Sequence, residues 1–116
     1  MLRRQLDIQV EQVGNVSVVS LSGAIDPTNV EDFKSTLRPL CAKDGNSVLL
    51  DCGSLSYVNS ASIGLLSNYH RICATNNGEL ALCCVWDKIQ NILRLLGLDC
   101  VLKIHQSRED ALEAMK

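Results

Sequence analysis

The segment Tyr57-Val58-Asn59-Ser60-Ala61-Ser62-Ile63-Gly64-Leu65-Leu66 holds the residues whose types and spacing could do chemistry. Two hydroxyls stand at a small polar corner between one apolar stretch and the next. Placed on a helix at about 100° per residue, Ile63, Leu65, Leu66, Tyr69, Ile72 and Cys73 share one half of the circumference. Ser60, Gly64, Ser67 and Arg71 line up on the other half, so Ser60 begins an exposed ridge with no large side chain before Arg71. A glycine in an exposed helix interior costs roughly 1 kcal/mol against alanine, and a partner backbone approaching closely would account for Gly64. Ser60 also lies at or just before the first turn, where unpaired amides and the positive end of the helix dipole gather. An ordinary N-cap serine fits this pattern. The other reading is a phosphate acceptor, since a phosphoryl group adds a charge of about −1.5 to −2. A helix terminus tolerates that charge, whereas an apposed acidic or apolar surface does not. Such chemistry is a binding switch.

Other chemistries find little support. The run Asn59-Ser60-Ala61-Ser62-Ile63-Gly64 is not the Gly-x-Ser-x-Gly elbow of a hydrolase, and neither His70 nor His105 shows a sign of a triad role. A non-enzymatic protein is expected. The six cysteines, at 41, 52, 73, 83, 84 and 100, include no Cys-x-x-Cys pair and no histidine in ligand spacing. No metal and no cofactor are therefore expected. Most of these cysteines fall within apolar periodic segments, where a free thiol acts as a small hydrophobe; for the pair Cys83-Cys84 a redox role has no support. A net charge of −2 and 3% aromatic residues argue against a nucleic-acid partner. No apolar run approaches the roughly 20 residues of a membrane span, and the two arginines near the N-terminus are followed by no apolar signal segment. The expected location is cytoplasmic, without membrane insertion.

The elements that must position the serine corner follow from periodicity. A length of 116 residues with 47% hydrophobic and 21% charged residues suits one globular domain over 1–116. Residues 5–12 alternate apolar and polar, and Gly14-Asn15 is a turn signal before 16–23, which predicts a hairpin of two strands. Thr28 and Glu31 have the spacing of a capping box, with Val30, Phe33, Leu37 and Leu40 as the buried stripe of the helix and Pro39 kinking or ending it. Strands are predicted over 47–52, 79–85 and 100–104. Helices are predicted over 60–76, over 86–96 with Ile89, Ile92, Leu93 and Leu96 buried and Gly97 as the C-cap, and after Ser107. Leu95 points away from its stripe, and Trp86 reads as packing. The order β-β-α-β-α-β-α-β-α predicts an α/β fold, a mixed sheet of about five strands with four helices packed against it.

On these residues the chain resembles the anti-sigma factor antagonists of the STAS domain class. The resemblance rests on Leu21 to Phe33, on Leu49 to Leu66 and on the closing segment from Gly97, and it covers nearly the whole chain. It implies partner switching: the unphosphorylated protein binds an anti-sigma factor that is also a serine kinase and so frees a sigma factor. Phosphorylation of the motif serine, here Ser60 with Ser62 as second choice, ends that binding, and a serine phosphatase resets it. The resemblance implies a partner surface of Asp26, Asn59, Ser60, Ser62, Gly64, Ser67 and Arg71 on a monomer or weak dimer, and it matches Asp51 to the family's strand-end aspartate. Where the family commonly has Asp before the serine this chain has Asn59, and where it commonly has Gly there is Ser62. The alternative within the same class is a non-phosphorylated STAS subunit of an ABC-type lipid transporter, or a stress-signalling scaffold.

Overall fold

Gly14, with a φ of 60°, closes a hairpin between β1 (Leu6–Val13) and β2 (Val16–Ile25), whose antiparallel register runs from Val13 opposite Val16 to Leu6 opposite Gly23. The computed structural model describes residues 5–115; the remainder of the 1–116 domain lies outside the described residues. From β2 the chain continues through α1 (Val30–Ala42), β3 (Ser47–Val58), α2 (Ser60–Thr75), β4 (Leu80–Cys83), α3 (Asp87–Leu95), β5 (Lys103–His105) and α4 (Arg108–Ala114). The sheet has the order β1-β2-β3-β4-β5, and every pairing after the first is parallel. This is the predicted mixed five-stranded α/β sheet with four α-helices.

Alternation along the strands sorts the apolar side chains into two cores. Val19, Leu21, Val48, Leu50, Leu80 and Leu82 face α1, α2 and α3, which contribute Phe33, Leu37, Ile63, Leu66, Ile89 and Leu93. Val18, Leu49, Ala81 and Cys83 face the other way, against Ala111 of α4 and the adjoining Met115. Strands covered on both faces read as nearly unbroken apolar runs, as β3 does at its start.

Several boundaries differ from the periodic expectation, each for a local reason. Pro39 neither ends nor stops α1, which runs on to Ala42. Leu37 and Cys41, both fully buried, pin the helix on either side while Pro39 stays on the exposed face. The capping box does not form: Thr28 donates both its amide and its hydroxyl to the Asp26 carboxylate, and Asn29 holds the cap position. Residues 98–100 form a turn of 3-10 helix rather than a strand, which delays β5 to residue 103. Leu96 lies past the end of α3 and is 59% exposed, so it is not part of the buried stripe. Leu95 is 86% exposed, as its direction predicts.

All six cysteines are free thiols, with Cys41, Cys52, Cys73 and Cys83 buried. Burial, and then the negative charge of Asp51, push the Cys52 thiol up from 9.0 to about 12. Below pH 9 the thiol is protonated in both folded and unfolded chains and stability does not depend on it. Between 9 and 12 only the unfolded chain gives up the proton, so folding stability falls by about 1.4 kcal/mol per pH unit for this group. Urea midpoints measured from pH 8 to pH 11 should fall above pH 9, and Cys52→Ala should fall less steeply over the same range.

Candidate functional site

The corner is assembled by the long parallel ladder of β2 and β3. β4 pairs with β3 only as far as Asp51, opposite Cys83, but β2 follows β3 to its end, with Ile25 opposite Val58. The amide of Asn59 then donates to the carbonyl of Ile25 at 3.1 Å. That bond sets the start of α2 beside the turn that leads into α1. Asn29 braces the same turn: its side-chain amide donates to the Ala24 carbonyl at 2.8 Å, and its Oδ1 accepts the Asp26 amide at 3.0 Å. Asp26, 9% exposed, is thus built into the corner, with Thr28 bonded to its carboxylate.

The cap of α2 is Asn59, not Ser60. Its Oδ1 accepts the Ser62 amide at 2.9 Å and also the Ser62 hydroxyl. Ser60 is the first helical residue and is exposed, with no capping duty to occupy its hydroxyl. Ser62 is 2% exposed and lies in the buried arc with Ile63, Leu66, Tyr69 and Cys73. The two hydroxyls that look alike in the sequence are therefore different objects, one facing solvent and one locked into the cap. Of the four amides at this terminus that lack an intrahelical acceptor, those of Asn59 and Ser62 are bonded to Ile25 and to the Asn59 side chain. Those of Ser60 and Ala61 have no acceptor inside the helix.

Along α2, Ser60, Gly64 and Arg71 are exposed and Ser67 is half-buried, so the exposed strip is centred toward Ala61 and Asn68, both exposed. A Cβ on Gly64 would meet nothing within 4 Å, so no neighbour within the chain requires a glycine there. Two aromatic side chains near this end of the sheet are exposed, and for Trp86 this departs from the packing role expected of it. Trp86 is 61% exposed, its indole N–H donating to the Gly53 carbonyl at 2.9 Å, and Tyr57 is 40% exposed. Trp86 borders a shallow cleft of about 280 Å³ shared with Leu55, Lys88 and Ile89. Their exposure depends on β3 outrunning β4, a pairing length that periodicity does not report.

Asp51 lies on the opposite face from α2, where its carboxylate accepts two hydrogen bonds from Arg108, the first residue of α4, at 2.9 and 3.1 Å. Arg108 also donates to the Ser20 hydroxyl at 2.8 Å. These bonds to a charged acceptor anchor the start of α4 on β2 and β3. The aspartate therefore holds a helix and does not belong to the serine corner.

The family model of the STAS domain matches residues 7–111. The anti-sigma F factor antagonist of Paenibacillus polymyxa is 21% identical over 112 residues, which are 96% of this chain and 96% of that protein. Among solved structures, an anti-sigma factor antagonist from Mycobacterium paratuberculosis matches with a TM-score of 0.85 at 22% identity, over 96% of this chain and 94% of its own. The Bacillus cell fate determinant SpoIIAA in its phosphorylated form matches with a TM-score of 0.74 at 18% identity, over 95% of this chain and 100% of that one. No helix among the described residues is long and apolar enough to cross a membrane.

The cap and the glycine can be separated by stability. Asn59→Ala should lower folding stability by about 1 kcal/mol through loss of the cap, and Asn59→Asp, whose carboxylate can accept the same amide, should not. Gly64→Ala should instead raise it by about 0.5–1 kcal/mol. Thermal denaturation of the three variants against wild type checks both directions.

Proposed function

Because the chain belongs to the STAS domain family, we propose that it is an anti-sigma factor antagonist working by partner switching. In its unphosphorylated form it binds an anti-sigma factor that is also a serine kinase, and a sigma factor is freed. Phosphorylation of Ser60 ends the binding, and a serine phosphatase restores it. The observation that carries this reading is the contrast of the two hydroxyls: Ser60 is exposed at the first position of α2, and Ser62 is buried at 2% exposure beneath the cap. A kinase can reach the first without unfolding the helix.

A phosphate on Ser60 stands at the positive end of a sixteen-residue helix, with the amides of Ser60 and Ala61 as donors. The fold accommodates it at little cost. The partner does not: the exposed strip from Ser60 past Gly64 to Arg71 offers little side-chain bulk at its start, so a docked surface comes close to the helix backbone. A charge of about −2 placed in that contact must be desolvated or expelled. Asn59, neutral where the family commonly has Asp, leaves the unmodified corner less negative, so phosphorylation makes a larger relative change there. Support also comes from the similar proteins: those of Paenibacillus polymyxa and Mycobacterium paratuberculosis are named anti-sigma factor antagonists, and SpoIIAA, which bears the same description, is solved in a phosphorylated form.

Incubation with radiolabelled ATP and the anti-sigma kinase of the same genome should label wild type and Ser62→Ala but not Ser60→Ala. Ser60→Asp should weaken anti-sigma binding about tenfold or more, some 1.4 kcal/mol by titration calorimetry. Gly64→Gln should fold normally and bind more weakly. Absence of label together with copurification of an ABC-type ATPase would overturn the proposal in favour of a transporter subunit.

A further inference from the structure

Cys83 and Cys84 are adjacent, and on a regular strand their side chains would leave the sheet on opposite faces. They do not. Cys84, just past the end of β4, has a φ of 59°, a left-handed conformation uncommon for a residue with a Cβ. The reversal brings its thiol to the face that Cys83 occupies, and both pack in the apolar cluster under α4. Asp51 is the ladder partner of Cys83 on β3. One carboxylate oxygen of Asp51 and the Sγ atoms of Cys83 and Cys84 lie within 4.8 Å of one another.

Two further features suit this group to a cation. A carboxylate has about four lone-pair sites; Arg108 takes two on Oδ2 and the Gly53 amide one on Oδ1, at 3.0 Å, which leaves Oδ1 room for one more partner. Gly53 keeps the space open, since a Cβ there would stand 3.3 Å from Asp51 Oδ1 and 3.5 Å from Cys84 Cβ. Tetrahedral zinc, with bonds of about 2.3 Å to sulfur and 2.0 Å to oxygen, sets its ligand atoms about 3.5–3.8 Å apart. The observed cluster is within a small side-chain adjustment of that spacing.

We propose that Cys83, Cys84 and Asp51 bind a thiophilic divalent cation of the Zn²⁺ class, with solvent completing the coordination. Binding releases the two thiol protons to solvent. Two thiolates and one carboxylate, offset by the Arg108 guanidinium, leave a net charge of −2 for the dication to neutralise, as a half-buried site requires. The site lies on the sheet face away from α2 and is independent of the Ser60 switch. It also departs from the metal-free expectation drawn from cysteine spacing, because an adjacent pair becomes chelating only through the left-handed turn at Cys84.

Reduced protein titrated with Co²⁺ should take up one equivalent, with a thiolate-to-cobalt charge-transfer band and the visible bands of tetrahedral coordination, and Zn²⁺ should displace it. Cys84→Gly keeps the fold, because glycine accepts the left-handed conformation, and should bind about tenfold or more weakly; Cys84→Ser should behave alike. Cys100→Ser, altering an exposed cysteine outside the cluster, should match wild type. Absence of the thiolate band in wild type, undiminished binding in both Cys84 variants, or its loss in Cys100→Ser overturns the proposal.

Discussion

Everything at the serine corner depends on the parallel pairing of β2 with β3 continuing beyond the point where β4 stops. Over Val48 to Asp51 the β3 strand is flanked on both sides, whereas from Ser54 to Val58 it is laddered to β2 alone. That extra length carries the chain out to the Asn59–Ile25 hydrogen bond and sets the beginning of α2 beside the beginning of α1. Parallel ladders give each residue a partner but leave the strand ends without a hairpin to close them. The ends must be closed by side chains, and Asn29 and Asn59 do this at the two helix starts.

A corner closed in this way is braced at the cap and open to solvent at Ser60. Asn59 uses its acceptor oxygen on Ser62 and so draws the second hydroxyl inward. Ser60, two residues before Ser62 on the helix, stands about 200° around the axis from it, on the solvent side. The difference in exposure between the two serines is therefore set by helix geometry and one cap.

The other sheet face is organised by a different constraint. Arg108 reaches from the first turn of α4 to Asp51 and Ser20, so a single guanidinium ties the last helix to the two central strands. The same aspartate borders the paired thiols of Cys83 and Cys84. The helix anchor and the thiol cluster share one carboxylate, while the serine corner is built on the opposite side of the sheet.

Period-two and helical patterns were enough, from the sequence by itself, to determine the number and order of strands and helices, the mixed sheet and the buried arc of α2, because burying one face demands those spacings whatever the neighbours are. The ridge of Ser60, Gly64 and Arg71 was legible for the same reason. What remained hidden depends on partners far apart in the chain. The capping role passed from Ser60 to Asn59, and Thr28 bonded to Asp26 instead of forming a box with Glu31, because polar side chains choose among several acceptors only once the strands have brought those acceptors near. Pro39 stayed within its helix because buried Leu37 and Cys41 hold the turns around it. The length of the β2–β3 ladder, the exposure of Trp86 and the turning of Cys84 toward Cys83 were likewise decided by tertiary structure, since each is fixed by where a neighbouring strand ends.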